Sequence, residues 1–271
     1  MTDRYAVIGN PVVHSKSPRI HAAFAKQTAQ DLEYGLLPAP PGGFATTVSE
    51  FRAAGGKGLN VTVPFKLDAF AFATSLTERA REAGAVNTLK FESNTVLGDN
   101  TDGAGLVGDI VGGLAFSLAG KRIFLMGAGG AARGVVLPLL GQRPASIVIA
   151  NRTVERAVAL VQQFGSRGPV RGGGYAQFAR EPFDVVINAT SASLAGDMPP
   201  LSPTAFAPGS LAYDMMYADQ PTPFLRFALQ HGAERTADGL GMLIAQAAES
   251  FFLWRGVRPD IRPVIELLRA R

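Results

Sequence analysis

The chain contains no cysteine. Disulfides, zinc–thiolate sites and thiol nucleophiles are therefore excluded, and no metal centre is expected. No stretch reaches about 18 uninterrupted apolar residues, so no membrane span is expected. A basic-then-apolar leader is also missing. Tyr5-Ala-Val-Ile8 is too short for one and runs straight into Gly9-Asn-Pro11, so the expected setting is the cytoplasm. No block of lysine and arginine stands out, and the net charge of +4 is modest and spread along the chain. That argues against nucleic acid. It suits a small anionic ligand, although ordinary surface charge accounts for it equally well. Internal repeats and low-complexity segments are absent as well.

What is present is an ordinary globular composition, 47% hydrophobic and 18% charged over 271 residues, enough for two domains. Residues 5–8 read as a buried strand. Ser17 before Pro18 reads as an N-cap with proline at the first helical position. A strand over 33–37, a helix over 44–53 ended by Gly55-Gly56, and a strand over 58–63 stopped by Pro64 follow. This β-α-β-α-β order predicts a mainly parallel sheet. Short helices over 67–74 and 78–83 come next, the second capped by Thr77, and then a hairpin around Ser93-Asn94. The first domain is expected to span residues 1–102.

Residues 103–237 alternate strands near 122–126, 146–150, 184–188 and 210–214, and a weaker one near 169–172, with helices near 131–140, 154–164 and 223–230. This is a doubly wound pattern. From 238 to 271 the chain turns helical, over 240–254 and 261–269, and is expected to cross back onto the first domain. The fold class is thus α/β: an N-terminal α/β substrate domain, a Rossmann-type doubly wound nucleotide domain, and C-terminal helices returning to the first domain.

The nucleotide assignment rests on Arg122-Ile-Phe-Leu-Met-Gly-Ala-Gly-Gly-Ala-Ala-Arg133, an apolar strand followed by a G-x-G-x-x-A turn. Gly127 allows the tight turn, Gly129 lets backbone approach a pyrophosphate, and Ala132 lets the helix lie close to the strand. Free N–H groups at the helix start then face the phosphates. About 20 residues on, an NAD binder usually carries an acid for the ribose 2′-OH. Here Asn151, Arg152 and Thr153 take that place, with Arg156 one turn further and Glu155 inside the next helix. Arginine grips a 2′-phosphate bidentately, so NADP fits better than NAD.

A second constellation is Asn60-Val-Thr-Val-Pro-Phe-Lys66. Alternation puts Asn60 and Thr62 on one face of a strand, at the carboxyl end where open α/β sheets hold ligands. Lys66 follows, and Ser15, Ser17, Asn87 and Asp102 lie at other strand ends. Such a set suits a small, hydroxylated, anionic ligand. Each member has a plainer reading: a solvated lysine, a turn asparagine, or a helix cap at Asp102.

Taken together the chain resembles the shikimate dehydrogenase family. The resemblance is carried by Ser15-Lys-Ser-Pro18, Asn60 to Lys66, Gly84-Ala-Val-Asn-Thr88, Gly98-Asp-Asn-Thr-Asp-Gly103, Gly127-Ala-Gly-Gly-Ala131, Asn151-Arg-Thr153, Asn188-Ala-Thr-Ser191, Tyr213-Asp-Met-Met-Tyr217 and Ala237-Asp-Gly-Leu-Gly-Met-Leu243. It implies reversible, NADPH-dependent reduction of 3-dehydroshikimate to shikimate. Lys66 would be the acid/base, coupled to Asp102. Substrate contacts would be Ser15, Ser17, Thr62, Asn87, Asp102, Tyr217 and Gln246, with Asn60 close by. Cofactor contacts would be Gly127, Ala128, Gly129, Gly130 and Ala131, then Asn151, Arg152, Thr153, Val154, Glu155 and Arg156, then Met215, Gly239 and Glu78. The alternatives are a relative with relaxed choice between shikimate and quinate or between NADP and NAD, and a non-catalytic NADP-binding homologue. The partners expected are small molecules, with no nucleic acid and no membrane, in a monomer or homodimer.

Overall fold

The first strand, β1 (Asp3–Gly9), is buried from Tyr5 onward on both faces. Its run of Tyr-Ala-Val-Ile is what a central parallel strand covered on two sides requires. In the computed structural model, residues 2–190 and 198–270 are described; Ser191 of the Asn188–Ser191 motif lies outside them. The chain divides into two compact units, Met1–Gly105 with Leu243–Arg271, and Leu106–Met242.

In the first unit, α1 (Ser17–Thr28) and α2 (Phe44–Ala53) connect β1, β2 (Leu32–Pro38) and β3 (Gly56–Val61). Two short helices, α3 (Lys66–Phe72) and α4 (Glu78–Ala83), flank β4 (Ser75–Leu76), and a hairpin of β5 (Thr88–Phe91) and β6 (Val96–Asp99) completes the sheet. The order is β2-β1-β3-β5-β6-β4. β1 runs parallel to both neighbours, whereas β5 is antiparallel to β3 and β6. One face packs Ile8, Leu59, Val61 and Leu89 against Phe44, Val48 and Phe65.

Local corrections to the sequence reading fall at ends of elements. The third strand stops at Val61 rather than Val63. Phe65 N–H bonds back to the Thr62 carbonyl at 3.0 Å, so the chain is already turning at Thr62, and the inference that Asn60 and Thr62 share a strand face does not hold. Ser17 is the first residue of α1 rather than its cap; Lys16 takes the cap position without a side-chain bond, and Ser15 Oγ accepts from the Ser17 N–H. Thr77 does cap α4, accepting from Ala80. The two-residue β4 and the three-residue β12 (Arg235–Ala237) were too short to read from pattern.

In the second unit the strands are β7 (Arg122–Met126), β8 (Ser146–Ala150), β9 (Val170–Gly173), β10 (Phe183–Asn188), β11 (Phe206–Asp214) and β12. The helices between them include α6 (Gly130–Gly141), α7 (Val154–Phe164) and α8 (Pro223–Gln230), following α5 (Asp102–Val107) and a π-helical stretch over 108–113. The order is β12-β11-β10-β7-β8-β9, all parallel. This is the dinucleotide-binding order, in which the strand order reverses between the first and fourth strands of the unit, β7 and β10. Side chains alternate across the sheet: Ile123, Leu125, Ile147 and Ile149 pack with Val135 and Leu139, and Phe124, Met126 and Val148 pack with Phe224 on the other side.

Two helices end the chain, α9 (Leu240–Arg255) and α10 (Arg262–Arg269). They return to the first unit as the sequence implied. Trp254 stacks on Tyr5 with ring centroids 4.6 Å apart, and its Nε1 donates to the Leu89 carbonyl at 3.0 Å. Gln27 and Asp260 exchange hydrogen bonds at 3.2 and 2.8 Å. Among the described residues, no helix is long and apolar enough to cross a membrane.

Candidate active site

The first sheet changes direction of growth between β1 and β3, and a crevice at the carboxyl ends of the strands follows from that topology. Backbone there is drawn close. Thr62 N–H bonds to the Ile8 carbonyl at 3.0 Å, and a Cβ on Gly9 would lie 2.4 Å from Thr62 Cγ2, so any side chain there would have to displace Thr62. The turn after β3 delivers Lys66 as the first residue of α3. Its ammonium bonds to Oδ2 of Asp102. The two side chains are 17% and 7% exposed, so the pair is shielded without being closed off from a ligand.

Asp102 opens α5, but it does not cap the helix with its side chain. Asn100 Oδ1 accepts from the Asp102 N–H at 3.1 Å, which leaves the carboxylate free for other partners. Its Oδ1 accepts from Asn87 Nδ2 at 2.9 Å. Asn87 Nδ2 also reaches Thr101 Oγ1 at 2.9 Å and Gln246 Oε1 at 3.2 Å. Asn87 is therefore a fully engaged core residue rather than a loose turn residue.

Asn60, on β3, is likewise committed. Its Oδ1 accepts from the Tyr34 hydroxyl at 2.7 Å, and its Nδ2 donates to Ser250 at 2.8 Å and to Thr88 at 3.2 Å. Ser15 donates to Ser17 at 3.1 Å. Burial pushes the Tyr34 hydroxyl well above its ordinary range, with the Ser17 hydroxyl acting the other way. Ser15, Ser17, Asn60, Lys66, Asn87, Asp102 and Gln246 thus belong to one polar cluster in the first unit. Thr62 lies beside it at the turn. Tyr34, Thr88, Thr101 and Ser250 join the cluster without having been read from sequence. Thr88 and Thr101 sit inside family-like motifs, and that was the one available signal.

Other expected site residues lie in the second unit. Gly127 leaves β7 at φ +105°, a conformation open to glycine at little cost, and its N–H bonds to the Ala150 carbonyl at 2.8 Å. A side chain on Gly129 would project into open space at the start of α6, and that helix has no side-chain cap. Unobstructed N–H groups are what a pyrophosphate needs. Ala128, Gly130 and Ala131 complete the turn, and Ala132 is buried against the sheet.

Past β8, the Asn151 side chain donates to the Thr153 carbonyl at 2.9 Å and shapes the turn. Arg152, Thr153, Val154, Glu155 and Arg156 are exposed. Among the described residues no carboxylate pairs with Arg152 or Arg156. Burial pushes the Tyr175 hydroxyl up to about 12, and nearby Arg152 opposes that. Two arginines with no carboxylate partner among the described residues, one strand from the glycine turn, fit a 2′-phosphate. Met215 and Gly239 are in contact: a Cβ on Gly239 would lie 2.2 Å from the Met215 carbonyl oxygen. Tyr217 follows β11 in this same unit, half-buried. Glu78 is exposed at the start of α4, in the first unit.

Comparison with known proteins agrees with this geometry. Residues 7–89 match the shikimate dehydrogenase substrate binding domain, residues 110–195 match shikimate / quinate 5-dehydrogenase, and residues 239–269 match the shikimate 5'-dehydrogenase C-terminal domain. A shikimate dehydrogenase (NADP(+)) of Dechloromonas aromatica is 61% identical over 271 residues, covering all of this chain and 99% of that protein. The crystal structure of an enzyme from Pseudomonas putida superposes with a TM-score of 0.93 at 47% identity, covering 100% and 99% of the two chains. The shikimate 5-dehydrogenase of Thermus thermophilus, solved in complex with NADP(H) and shikimate, gives a TM-score of 0.88 at 33% identity over 99% of each chain. The chain belongs to the shikimate dehydrogenase family.

Proposed function

We propose that Lys66 is the acid/base of a reversible, NADPH-dependent reduction of 3-dehydroshikimate to shikimate, and that Asp102 holds it in place. The chain is an NADP-dependent oxidoreductase of its family; the roles of individual residues are the proposal. The observation that carries them is the Lys66–Asp102 pair, shielded but not sealed, at the strand ends of the first unit. Bound NADPH supplies the hydride that reduces the substrate carbonyl carbon. The Lys66 ammonium stabilises the developing alkoxide and gives it a proton; in the reverse direction the neutral amine takes the hydroxyl proton. Asp102 keeps Lys66 aimed through one carboxylate oxygen while Asn87 steadies the other.

Substrate contacts are assigned to Ser15, Ser17, Thr62, Asn87, Asp102, Tyr217 and Gln246. Asn60 has its polar atoms bonded to Tyr34, Ser250 and Thr88, which supports a place behind the substrate. Gly127 to Ala131, Asn151 to Arg156, Met215, Gly239 and Glu78 are assigned to the cofactor. The reading places substrate binding in residues 1–102, the cofactor in 103–237 and returning helices in 238–271, in a cytoplasmic monomer or homodimer. The deciding experiment is an activity matrix of shikimate and quinate, each with NADP⁺ and NAD⁺. Turnover is expected to be highest with shikimate and NADP⁺; no turnover with any pairing sinks the assignment, and higher activity with quinate or NAD⁺ redirects it.

A further inference from the structure

The polar cluster behind Lys66 has a direction. Thr101 N–H donates to Asn87 Oδ1 at 2.9 Å. A backbone N–H faces an acceptor, so this bond fixes which end of the Asn87 amide is oxygen. The Thr88 hydroxyl, 2.9 Å from that same oxygen, is then its donor. With its proton committed, Thr88 Oγ1 is an acceptor toward its other neighbours. Asn60 Nδ2 lies 3.2 Å away and Ser250 Oγ 2.8 Å away. At the far end, the Tyr34 hydroxyl donates to Asn60 Oδ1 at 2.7 Å. Read through, the donors run one way: Tyr34 to Asn60, Asn60 to Thr88, Thr88 to Asn87, and Asn87 to Oδ1 of Asp102 at 2.9 Å.

Such a chain polarises each successive bond in the same sense and ends on a carboxylate, the acceptor that gains most from it. Thr88 is where the Asn60 and Asn87 arms meet. It is fully buried, as is Ser250, so water cannot replace a lost hydroxyl there without repacking. We propose that Thr88 is a positioning residue for the reaction. It joins the Asn60 and Asn87 amides into one rigid donor chain and so sets the geometry of Asp102, and through it of Lys66. Thr88 touches neither substrate nor cofactor in this scheme. The inference rests on the proposed shikimate dehydrogenase activity.

Thr88→Val keeps the shape of the side chain and deletes the hydroxyl, whereas Thr88→Ser keeps the hydroxyl and deletes the methyl. Steady-state kinetics of shikimate oxidation by NADP⁺ compares both with the unmodified chain. Thr88→Val should lower kcat/KM for shikimate about ten-fold, the worth of one buried hydrogen bond plus the partners it strands, through both a lower kcat and a higher KM. Its KM for NADP⁺ should stay within about two-fold, because the cofactor motifs belong to the second unit. Thr88→Ser should recover most of the loss. If Thr88→Val does not accumulate folded, as judged by thermal melting, Thr88→Ala takes its place, and its contrast with Thr88→Ser again isolates the hydroxyl. A folded hydroxyl-less variant with normal kcat and KM for shikimate overturns the proposal, as does an equal loss in Thr88→Ser. An unmodified chain without shikimate activity overturns the functional reading instead, so the two failures are distinct.

Discussion

The carboxylate of Asp102 is shared, with Lys66 on Oδ2 and Asn87 on Oδ1. Each oxygen has its own donor, and the ammonium is held by an acceptor that is itself held. That arrangement gives a proton donor a fixed position, which is what general acid catalysis asks of it.

Lys66→Ala removes the proposed proton donor and leaves the glycine turn untouched. The expected result is a fall in kcat of about a hundred- to ten-thousand-fold, the usual worth of a positioned acid or base. NADP⁺ binding, followed by fluorescence titration, should be nearly unchanged. Near-normal turnover would remove Lys66 from the chemistry.

Asp102→Asn tests the other half of the pair. An amide has one acceptor end and one donor end, yet both of its neighbours here, Lys66 Nζ and Asn87 Nδ2, are donors. Either orientation sets donor against donor. The loss in kcat/KM for shikimate should be at least about ten-fold, with KM raised if the carboxylate also holds a substrate hydroxyl. Unchanged kcat and KM would reduce Asp102 to a structural residue of α5.

Cofactor choice is tested at Arg152. It is exposed at the turn after β8, and no carboxylate among the described residues competes for it. Arg152→Ala should weaken NADP⁺ by about ten- to hundred-fold, corresponding to about 1.5–3 kcal/mol of charge-assisted hydrogen bonding. NAD⁺, which lacks the 2′-phosphate, should be little affected. Isothermal titration with both cofactors reads this directly, and equal losses would exclude a 2′-phosphate role.

Much of this architecture was legible from residue pattern. The α7 and α8 spans, Val154–Phe164 and 223–230, match the periodic stretches closely because each has a strong apolar face and a defined start. Five of the six parallel strands of the second unit were legible as short apolar runs, β12 being too short. The failures are of a different kind. Thr62 looked like a strand residue because alternation continues through Val63, while the fold had already turned the backbone at Thr62. Asp102 looked like a cap because it precedes a helix, while Asn100 does that work. Thr88 and Ser250 meet across 162 residues of sequence, and no local pattern encodes such a meeting. Lys66 and Asp102 could be named from motif resemblance, but the polar cluster that holds them appears only once α9 is folded back.

A last prediction concerns stability. His21 is fully buried, and its ring stacks on Tyr34 with centroids 4.1 Å apart and planes 6° from parallel. Phe24, Phe251 and Trp254 surround it. Neither ring nitrogen has a hydrogen-bond partner. Burial pushes its pKa down to about 3, against a smaller opposing effect of the Asn60 side chain. In the unfolded chain the same imidazole titrates near its ordinary 6.5. Between those values the unfolded state binds the proton and the folded state does not. Stability is therefore undiminished by His21 above pH 6.5 and falls as pH drops from there toward 3, by about 1.4 kcal/mol per unit. Phenylalanine has nearly the same shape and does not titrate, so His21→Phe should remove this slope. Denaturant melts at pH 7 and pH 5 should show the unmodified chain losing about 2 kcal/mol more than the variant. The carboxylates that also titrate over this range are common to both chains and cancel in the difference. Parallel losses in the two proteins would mean that His21 is protonated, or reached by water, in the folded state.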